Sequence, residues 1–216
     1  MTPEALAKLI KAFPVKELGT GNIRTCPVRL SYANLFKPIQ GTDDNGQPSG
    51  DPKYSVALLF PVGANISLLS EAAKHAAIEK FGPKAASLRL KMPIRDQIEK
   101  ADRDGNLPTG YAEGAAFFNC TSKQKPGIVD AFGAPITDES KVYSGQWALV
   151  TVRPFGFENR SKGVAFGLQN VQIIADDERL GGGRAAAADE FEPLDGSLLP
   201  DFNAGGDSAG ATTAWD

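Results

Sequence analysis

The segment Gln146-Trp147-Ala148-Leu149-Val150-Thr151-Val152-Arg153-Pro154-Phe155-Gly156-Phe157 alternates with the two-residue period of a β-strand and decides the fold class. On one face, Ala148, Val150 and Val152 are small and apolar, as the inside of a small barrel requires. The other face combines aromatic rings with a cation and consists of Trp147, Leu149, Thr151, Arg153, Phe155 and Phe157. Rings stack on unpaired bases and cations contact phosphates, so this face predicts a single-stranded nucleic acid as ligand. The alternative is that its aromatic residues pack beneath a helix or a loop.

Four further segments have strand patterning, and clusters of Gly, Pro, Asp and Asn separate them. They are Ile23 to Tyr32, Lys53 to Pro61, Ala115 to Ser122 and Val164 to Ile174. Helical spacing occurs in Thr2 to Phe13 and in Ser67 to Phe81, while Gly41 to Asp51 is predicted to be a mobile polar loop. Five strands with short inserted helices favour a mainly β, five-stranded OB-like antiparallel barrel. Strand spacing leaves a β-sandwich open as the alternative.

Size and composition narrow the classes of protein. The chain of 216 residues suits one folded domain with appendages. No apolar run approaches the roughly 20 residues of a membrane span, and the N-terminus lacks the pattern of a secretory signal. We therefore expect no membrane partner and a cytoplasmic protein, in the host cell if a phage encodes it. Cys26 and Cys120 are expected to be buried free thiols, and His75 a solvated or half-buried residue of a helix.

Charge is divided unevenly along the chain. From Ala185 onward there is no Lys or Arg, and the seven acidic residues there are Asp189, Glu190, Glu192, Asp195, Asp201, Asp207 and Asp216. Of the 26 acidic residues, 19 therefore fall within 1–184, against 23 basic ones, a balance of +4. This asymmetry predicts three regions: an N-terminal helix (1–15), an OB-fold nucleic-acid-binding domain (16–184) and a disordered acidic tail (185–216).

Two further segments place cations where they could contact a nucleic-acid backbone. A strand containing Phe117 runs into Lys123 and Lys125 in a predicted turn. A polar hairpin between two strong strands carries Arg160 and Lys162. Cations at strand ends and in hairpins can contact phosphates, although ordinary solvated loops have the same pattern.

Two features are also found in enzymes. Asp176-Asp177-Glu178 groups three acids, as in a metal-dependent nuclease, but consecutive acids point to different sides. Gly181-Gly182-Gly183-Arg184 lacks the Lys-Ser/Thr ending of a phosphate loop and is interpreted as a hinge. We therefore predict a non-enzymatic protein with no metal and no cofactor. A metal-dependent nuclease and a structural or adaptor protein of the virion remain the alternatives.

Five blocks of the sequence carry a resemblance to a known family. They span roughly Asn22 to Phe191 and are Arg29 to Phe36, Pro52 to Pro61, Ser122 to Asp130, Val142 to Trp147, and Asn159 to Leu168 followed by Leu180-Gly181-Gly182. In this order they resemble a bacteriophage single-stranded DNA-binding protein family whose shared domain was first defined without a known function. The helix before Lys16 and the charged insert Pro93 to Pro108 depart from the family pattern.

The resemblance implies an OB-fold, sequence-tolerant binding of single-stranded DNA, and a role in phage DNA replication, recombination or repair. It also implies similarity in plan to phage helix-destabilising proteins whose acidic C-terminal tails end in an aromatic residue. In this sequence the tail ends in Trp215-Asp216. We expect the tail to compete with DNA for the basic groove and to recruit replication or recombination proteins through Trp215 and Asp216.

The predicted DNA-binding residues are aromatic and basic side chains of the strands and hairpins. They are Tyr32, Phe36, Tyr54, Phe117, Lys123, Lys125, Tyr143, Trp147, Arg153, Phe155, Phe157, Arg160 and Lys162. Together they are expected to neutralise phosphates and to stack on bases. A monomer and a homodimer are both compatible with the sequence.

Overall fold

The computed structural model describes residues 1–42, 46–159 and 161–181, which belong to one compact unit, Met1–Gly181. In chain order its helices and strands are α1 (Pro3–Ala12), β1 (Lys16–Glu17), β2 (Ile23–Arg24), β3 (Val28–Thr42), β4 (Pro48–Leu59), α2 (Ser67–Phe81), β5 (Arg95–Asp96), β6 (Ala116–Ser122), β7 (Gly127–Val129), β8 (Trp147–Glu158) and β9 (Lys162–Ala175). Short 3-10 turns span Pro83–Ser87, Gln97–Lys100 and Glu139–Lys141. The predicted tail, 185–216, lies outside the described residues, as does Arg160. The predicted domain boundaries stay a prediction.

Five strands close a barrel in the order β8-β3-β4-β6-β9, because β9 pairs back onto β8. Four of these pairings are antiparallel, and the pairing of β6 with β9 is parallel. A parallel pair requires a long crossover, and the chain between β6 and β9 provides one that includes β8. The predicted mainly β, five-stranded OB-like barrel is confirmed, with one pairing parallel rather than antiparallel. Closure of the barrel excludes the β-sandwich alternative.

The predicted inward face of β8 forms the centre of the core. Ala148, Val150 and Val152 are all fully buried. The rings of Phe118 and Phe166, from β6 and β9, pack nearby with their centroids 4.4 Å apart. Both cysteines are buried free thiols, as predicted, and burial raises the pKa of the Cys26 thiol to about 11.

Both predicted helices are present. Helix α1 is capped by the Thr2 hydroxyl, which accepts the N–H of Ala5 at 3.3 Å. Helix α2 buries one face against the barrel core, and Gly82, whose φ is 73°, ends it in a conformation that favours glycine. His75 lies on the exposed side of α2. None of the helices among the described residues is long and apolar enough to cross a membrane.

Strands β3 and β4 continue past the barrel as an exposed hairpin arm. The sequence predicted a polar loop from Gly41 to Asp51, but β3 runs to Thr42 and β4 begins at Pro48. Gly41 pairs with Ser49, and Thr42 pairs with Pro48. Nearly all residues of the arm are exposed, so it lacks the alternation of apolar and polar residues by which a strand is recognised in a sequence. This explains why the prediction was wrong here.

Residues 176–180, which we call the 176–180 strap, follow β9 and are hydrogen-bonded to the start of β8. The Asp176 carboxylate accepts hydrogen bonds from Gln146 Nε2 at 2.7 Å and from the Tyr143 hydroxyl at 3.2 Å. The Asp177 carboxylate accepts one from the Trp147 indole N–H at 2.7 Å. The strap therefore covers the outer side of β8 at its first residues.

The contacts of the Asp177 carboxylate in the strap lower its pKa. Partial burial opposes its ionisation, but the hydrogen bonds from the Trp147 indole and from the Glu178 backbone N–H outweigh that effect. They lower the pKa of Asp177 from 3.8 to about 2. Because the folded pKa lies below the unfolded value, ionised Asp177 stabilises the fold above about pH 4, and this contribution is lost as the pH falls toward about 2.

We predict that Asp177→Asn lowers the free energy of unfolding by about 1–2 kcal/mol at pH 7. The difference between wild type and variant should shrink at pH 2.5, because Asp177 becomes protonated on unfolding there. Urea titrations at the two pH values measure both quantities. Glu178→Gln, at an exposed neighbouring carboxyl, is the matched control. A difference of equal size at both pH values would contradict the role assigned to the Asp177 charge.

Candidate nucleic-acid interface

The outer surface of β3, β4 and β6 forms a face whose side chains stand in rows set by the strand register. We call it the three-stranded face. OB-folds bind oligonucleotides on the face of the second and third barrel strands, which are β4 and β6 here. The rows, from one end to the other, are Arg29-Leu59-Phe117, Ser31-Ala57-Asn119 and Asn34-Ser55-Thr121. Lys53 and Lys123 continue the face at the far end, by strand alternation.

The first row of the three-stranded face is covered. Phe117 is fully buried, and it packs with Leu59 against Leu180 of the strap and against Tyr111. The Arg95 guanidinium lies 4.5 Å from the centroid of the Phe117 ring. Phe117, a predicted DNA contact, is therefore not available to a base. The residues that cover it come from distant parts of the chain, which strand patterning could not reveal.

The second row is partly covered, because Ser31 and Ala57 are buried and the Tyr111 hydroxyl lies 3.4 Å from Ser31 Oγ. The face is open from Asn119, which is exposed, to Ser55 and Thr121, which are half-buried. The Asn34 amide donates hydrogen bonds to the Tyr32 carbonyl at 3.0 Å and to Ser55 Oγ at 3.3 Å. A strand of nucleotides can lie flat on such a surface, with hydroxyl and amide groups in reach of its sugars and phosphates.

Tyr32 stands at an irregularity of β3 beside the open rows. The pairing register of β3 and β4 shifts between Ser31 and Asn34, and Tyr32 lies within the shift. Its φ is +48°, the one positive φ of a non-glycine residue among those described, and its side chain is 70% exposed. Such a conformation costs about 1–3 kcal/mol in a residue other than glycine. Bulges re-aim side chains, and this one turns an aromatic ring toward solvent next to the face.

Cations gather at the open end. Lys123 forms an ion pair with Asp51, and both side chains are more than two-thirds exposed. The hydrogen bond and the charge of Lys123, with a smaller contribution from the charge of Lys53, lower the pKa of the Asp51 carboxyl. Lys53, Lys123 and Asp51 therefore lie close together. Exposed ion pairs of this kind are weak, so a phosphate can replace Asp51 as the partner of either lysine.

Of the predicted contacts, Tyr32 and Lys123 lie at the open part of the face. Lys125 Nζ lies 5.0 Å from the centroid of the Phe36 ring, which packs partly against the barrel core. Tyr54 is half-buried and pairs with Ser122. By strand alternation it points to the other side of β4 from Ser55 and Lys53.

Arg153 on β8 lies elsewhere. Its Nη2 donates to the Thr20 carbonyl at 2.6 Å, and its Nε donates to Asn22 Oδ1 at 3.0 Å. It lines a groove of about 500 Å³ beside α2 that also contains Glu17, Glu71 and Glu79. The guanidinium is therefore bound to the β1–β2 turn and stands among carboxylates that repel phosphate.

Trp147 and Tyr143 are held by the strap. Trp147 is 8% exposed and donates its indole N–H to Asp177. The Arg179 guanidinium covers the Tyr143 ring at 3.9 Å from its centroid. For Trp147 the alternative prediction, packing beneath a loop, is the correct one, because the strap occupies the outer side of β8. Neither ring is free to stack on a base in this arrangement.

The far end of β8 and the β8–β9 hairpin carry the other predicted contacts. Phe155 is 45% exposed beside α2, and Phe157 packs closely against Gly163. Lys162 is half exposed and forms an ion pair with Glu158 at 2.6 Å. Arg160 lies between them in the chain but outside the described residues.

Two of the three acids that suggested an enzyme have structural roles, while most of the predicted hinge, 182–184, lies outside the described residues. Asp176 and Asp177 accept hydrogen bonds from Gln146, Tyr143 and Trp147, as described above. Among residues 1–42, 46–159 and 161–181, no three His, Cys, Asp or Glu side chains are grouped so that they could hold a metal ion. Asp176 and Asp177 thus fix the strap to the barrel.

Sequence reasoning missed the centre of the three-stranded face. Asn34, Lys53, Ser55, Asn119 and Thr121 belong together only through the register of strands that are far apart in the chain. Strand alternation could have identified Ser55, Asn119 and Thr121. Each of them lies next to an apolar residue of β4 or β6 that points into the core, and such alternation identifies an outward face.

Comparisons with known proteins agree with this architecture. Residues 21–200 match the family model of the single-stranded DNA-binding protein of Enterobacter phage Enc34. The protein p50 of Acyrthosiphon pisum secondary endosymbiont phage 1 is 31% identical over 172 residues, which cover 77% of this chain and 90% of that protein.

Solved structures of the Enc34 protein share the fold. Its complex with single-stranded DNA matches with a TM-score of 0.62 and 24% identity over 78% of this chain and 98% of that chain. A C-terminal truncation of the Enc34 protein matches with a TM-score of 0.60 and 22% identity over 77% and 92%. The family model covers most of the chain, and the chain therefore belongs to the family of the single-stranded DNA-binding protein of Enterobacter phage Enc34.

Proposed function

We propose that this protein binds single-stranded DNA, with little sequence preference, along the open part of the three-stranded face. The observation that carries the proposal is Tyr32, an exposed ring held in a strained conformation beside low polar rows and a group of lysines. Membership of a family named for a single-stranded DNA-binding protein supports it. We infer a stoichiometric, non-enzymatic role in phage DNA replication, recombination or repair.

Two kinds of contact would hold the strand. Tyr32 stacks on a base, and Phe36 and Tyr54 stay predicted base contacts. Lys53, Lys123 and Lys125 neutralise phosphates and release their counterions. The open rows offer side chains that can bond to sugar and phosphate, which carry no sequence information. Binding would therefore tolerate any sequence.

The β8–β9 hairpin would hold the other end of the strand. The loops between the first and second and between the fourth and fifth barrel strands help OB-folds to bind oligonucleotides. Here these loops are the β3–β4 arm and the hairpin between Glu158 and Lys162. Lys162 and Arg160 thus stay predicted phosphate contacts. Phe155 and Phe157 stay predicted as neighbours of that hairpin.

The acidic residues from 185 onward would regulate binding. They carry seven negative charges and no positive ones, whereas residues 1–184 have a balance of +4. In the absence of DNA they occupy the basic groove, and DNA phosphates must displace them in order to bind. Trp215 and Asp216 then offer an aromatic and an acidic group to replication or recombination proteins.

We predict that Tyr32→Ala raises the Kd for an oligothymidylate about tenfold, within the range measured for losing one stacked base. Tyr32→Phe keeps the ring and should bind like wild type. Fluorescence anisotropy with a labelled oligonucleotide measures both variants. Wild-type affinity in Tyr32→Ala would rule out Tyr32 as a stacking residue.

The double variant Lys53→Gln, Lys123→Gln is expected to bind more weakly and to depend less on salt. Each phosphate contact contributes about 0.7 to the slope of log K against log salt concentration on single strands, so the slope should fall by about 1.4. Titrations at several salt concentrations measure it. Lys8→Gln with Lys84→Gln, two exposed lysines away from the face, is the control. A slope unchanged from wild type would place the phosphates elsewhere.

Removal of residues 185–216 is expected to tighten binding of single-stranded DNA, because the competing charges are lost, and to weaken its salt dependence only slightly. A full-length variant in which the seven acids are replaced by Asn or Gln should behave in the same way. Equilibrium binding to one oligonucleotide compares the three proteins. Identical affinities would exclude competition by the tail.

A further inference from the structure

Phe132 is the most exposed large apolar residue among those described, with 96% of its side chain accessible. It stands at the tip of residues 130–134, which we call the Phe132 turn. The turn follows β7, and the bridge between Val129 and Pro135 closes it. An aromatic ring in water gains nothing for folding, so its position calls for another explanation.

The Phe132 turn is held in one shape by a network of hydrogen bonds. Asp130 Oδ1 accepts the backbone N–H of Phe132 at 2.9 Å and that of Ala134 at 2.8 Å. The Gly133 N–H donates to the Asp130 carbonyl at 3.1 Å, and Gly133 has a φ of 86° that favours glycine. Gln172 Nε2, from β9, donates to the carbonyls of Asp130 and Ala131 at 3.3 and 3.2 Å. The ring is therefore presented by a fixed turn, which lowers the entropy cost of docking a ligand on it.

Strand β9 places this turn in line with the three-stranded face. Strands β6 and β7 both pair in parallel with β9: Thr121 pairs with Gly167, and Val129 pairs with Gln172. These two points are five residues apart along β9, or about 17 Å. The chain that joins β6 to β7 carries Lys123 and Lys125. A path from the open face thus passes two lysines and reaches Phe132.

The carboxylates near this path already have partners. Asp130 accepts the two N–H groups inside the turn. Asp138 accepts the backbone N–H and the hydroxyl of Ser140, which lower its pKa. Glu139 forms an ion pair with Lys37 at 2.8 Å. These three carboxylates are therefore bound to local cations or donors. Lys123 and Lys125 lie beside the path, Lys123 in the exposed and weak ion pair with Asp51.

We propose that Phe132 is a second stacking platform, which binds an unpaired base of the same DNA strand beyond the lysines that follow β6. This inference rests on the proposed function, because it extends the DNA path that begins on the three-stranded face. A ring on a fixed turn suits a base of any identity, since every base has a π-face. A second copy of the chain is the competing ligand for an exposed ring, and the test distinguishes the two.

The test uses full-length protein and oligothymidylates from about 4 to 16 nucleotides, the range of site sizes for one OB-fold. Wild type should bind the longer oligonucleotides more tightly. Phe132→Ala should match wild type on the shortest ones and bind the longest about tenfold more weakly. Phe132→Trp should restore the affinity, and its added fluorescence should be quenched by long but not by short oligonucleotides.

Ile78→Ala removes an exposed apolar side chain from α2 and is the matched control, which should bind like wild type. If Phe132→Ala equals wild type at every length while wild type binds DNA, the second platform is refuted and the proposed function stands. If wild type binds no oligonucleotide, the proposed function fails. Sedimentation of both proteins without DNA completes the test. A dimer lost in Phe132→Ala with unchanged DNA affinity would assign the ring to self-association and overturn the inference.

Discussion

The pairing of β9 on both of its edges is the constraint on which the other surfaces depend. On one edge β9 pairs with β8 along almost its whole length, from Lys162 to Ala175, and this closes the barrel. On the other edge it pairs first with β6 and then with β7. One strand thus fixes the three-stranded face, the turn that carries Phe132 and the start of the strap relative to one another. Closure also leaves the five barrel strands without free edges over their paired length, so contacts with a ligand are made by side chains and loops.

The parts of the fold that depend on local sequence were predictable. Alternation identified Ala148, Val150 and Val152 as core residues, and helical spacing predicted both α1 and α2. Whether an outward-pointing side chain of a strand is exposed depends instead on whether a distant segment of the chain packs over it. Phe117 and Trp147 have the pattern of exposed aromatic residues, yet the strap covers both. The aromatic residues predicted for the interface are therefore exposed only where no distant segment returns to cover the sheet.

Tyr32 and Phe132 are the two places where the fold turns a large ring toward solvent at some cost. The backbone of Tyr32 is strained, and the ring of Phe132 makes almost no use of the hydrophobic effect. In each case hydrogen bonds from a neighbouring amide, Asn34 or Gln172, hold the backbone in place. Natural proteins retain local strain and exposed apolar groups mainly at functional sites. Tyr32 and Phe132 are therefore better candidates for stacking on bases than the buried aromatic residues. Tyr32 lay within a block that resembles the phage family, whereas the sequence analysis did not identify Phe132. Asp130 and Gly133 are typical turn residues, but a turn pattern alone does not show whether its ring is covered by the rest of the chain.

The distribution of charge explains how an acidic protein can still bind DNA. Net charge over the whole chain is −3, but net charge governs solubility and long-range attraction rather than the contacts made at one face. Carboxylates of the described domain are largely bound to local donors: Asp177 by an indole, Asp130 and Asp138 by backbone N–H groups. Lys123, by contrast, forms its ion pair within the described domain with Asp51, an exposed and therefore weak partner. A phosphate that displaces Asp51 exchanges one ion pair for another at little cost and releases counterions from the strand. The lysines beside the face can therefore bind DNA without losing any bond on which the barrel depends.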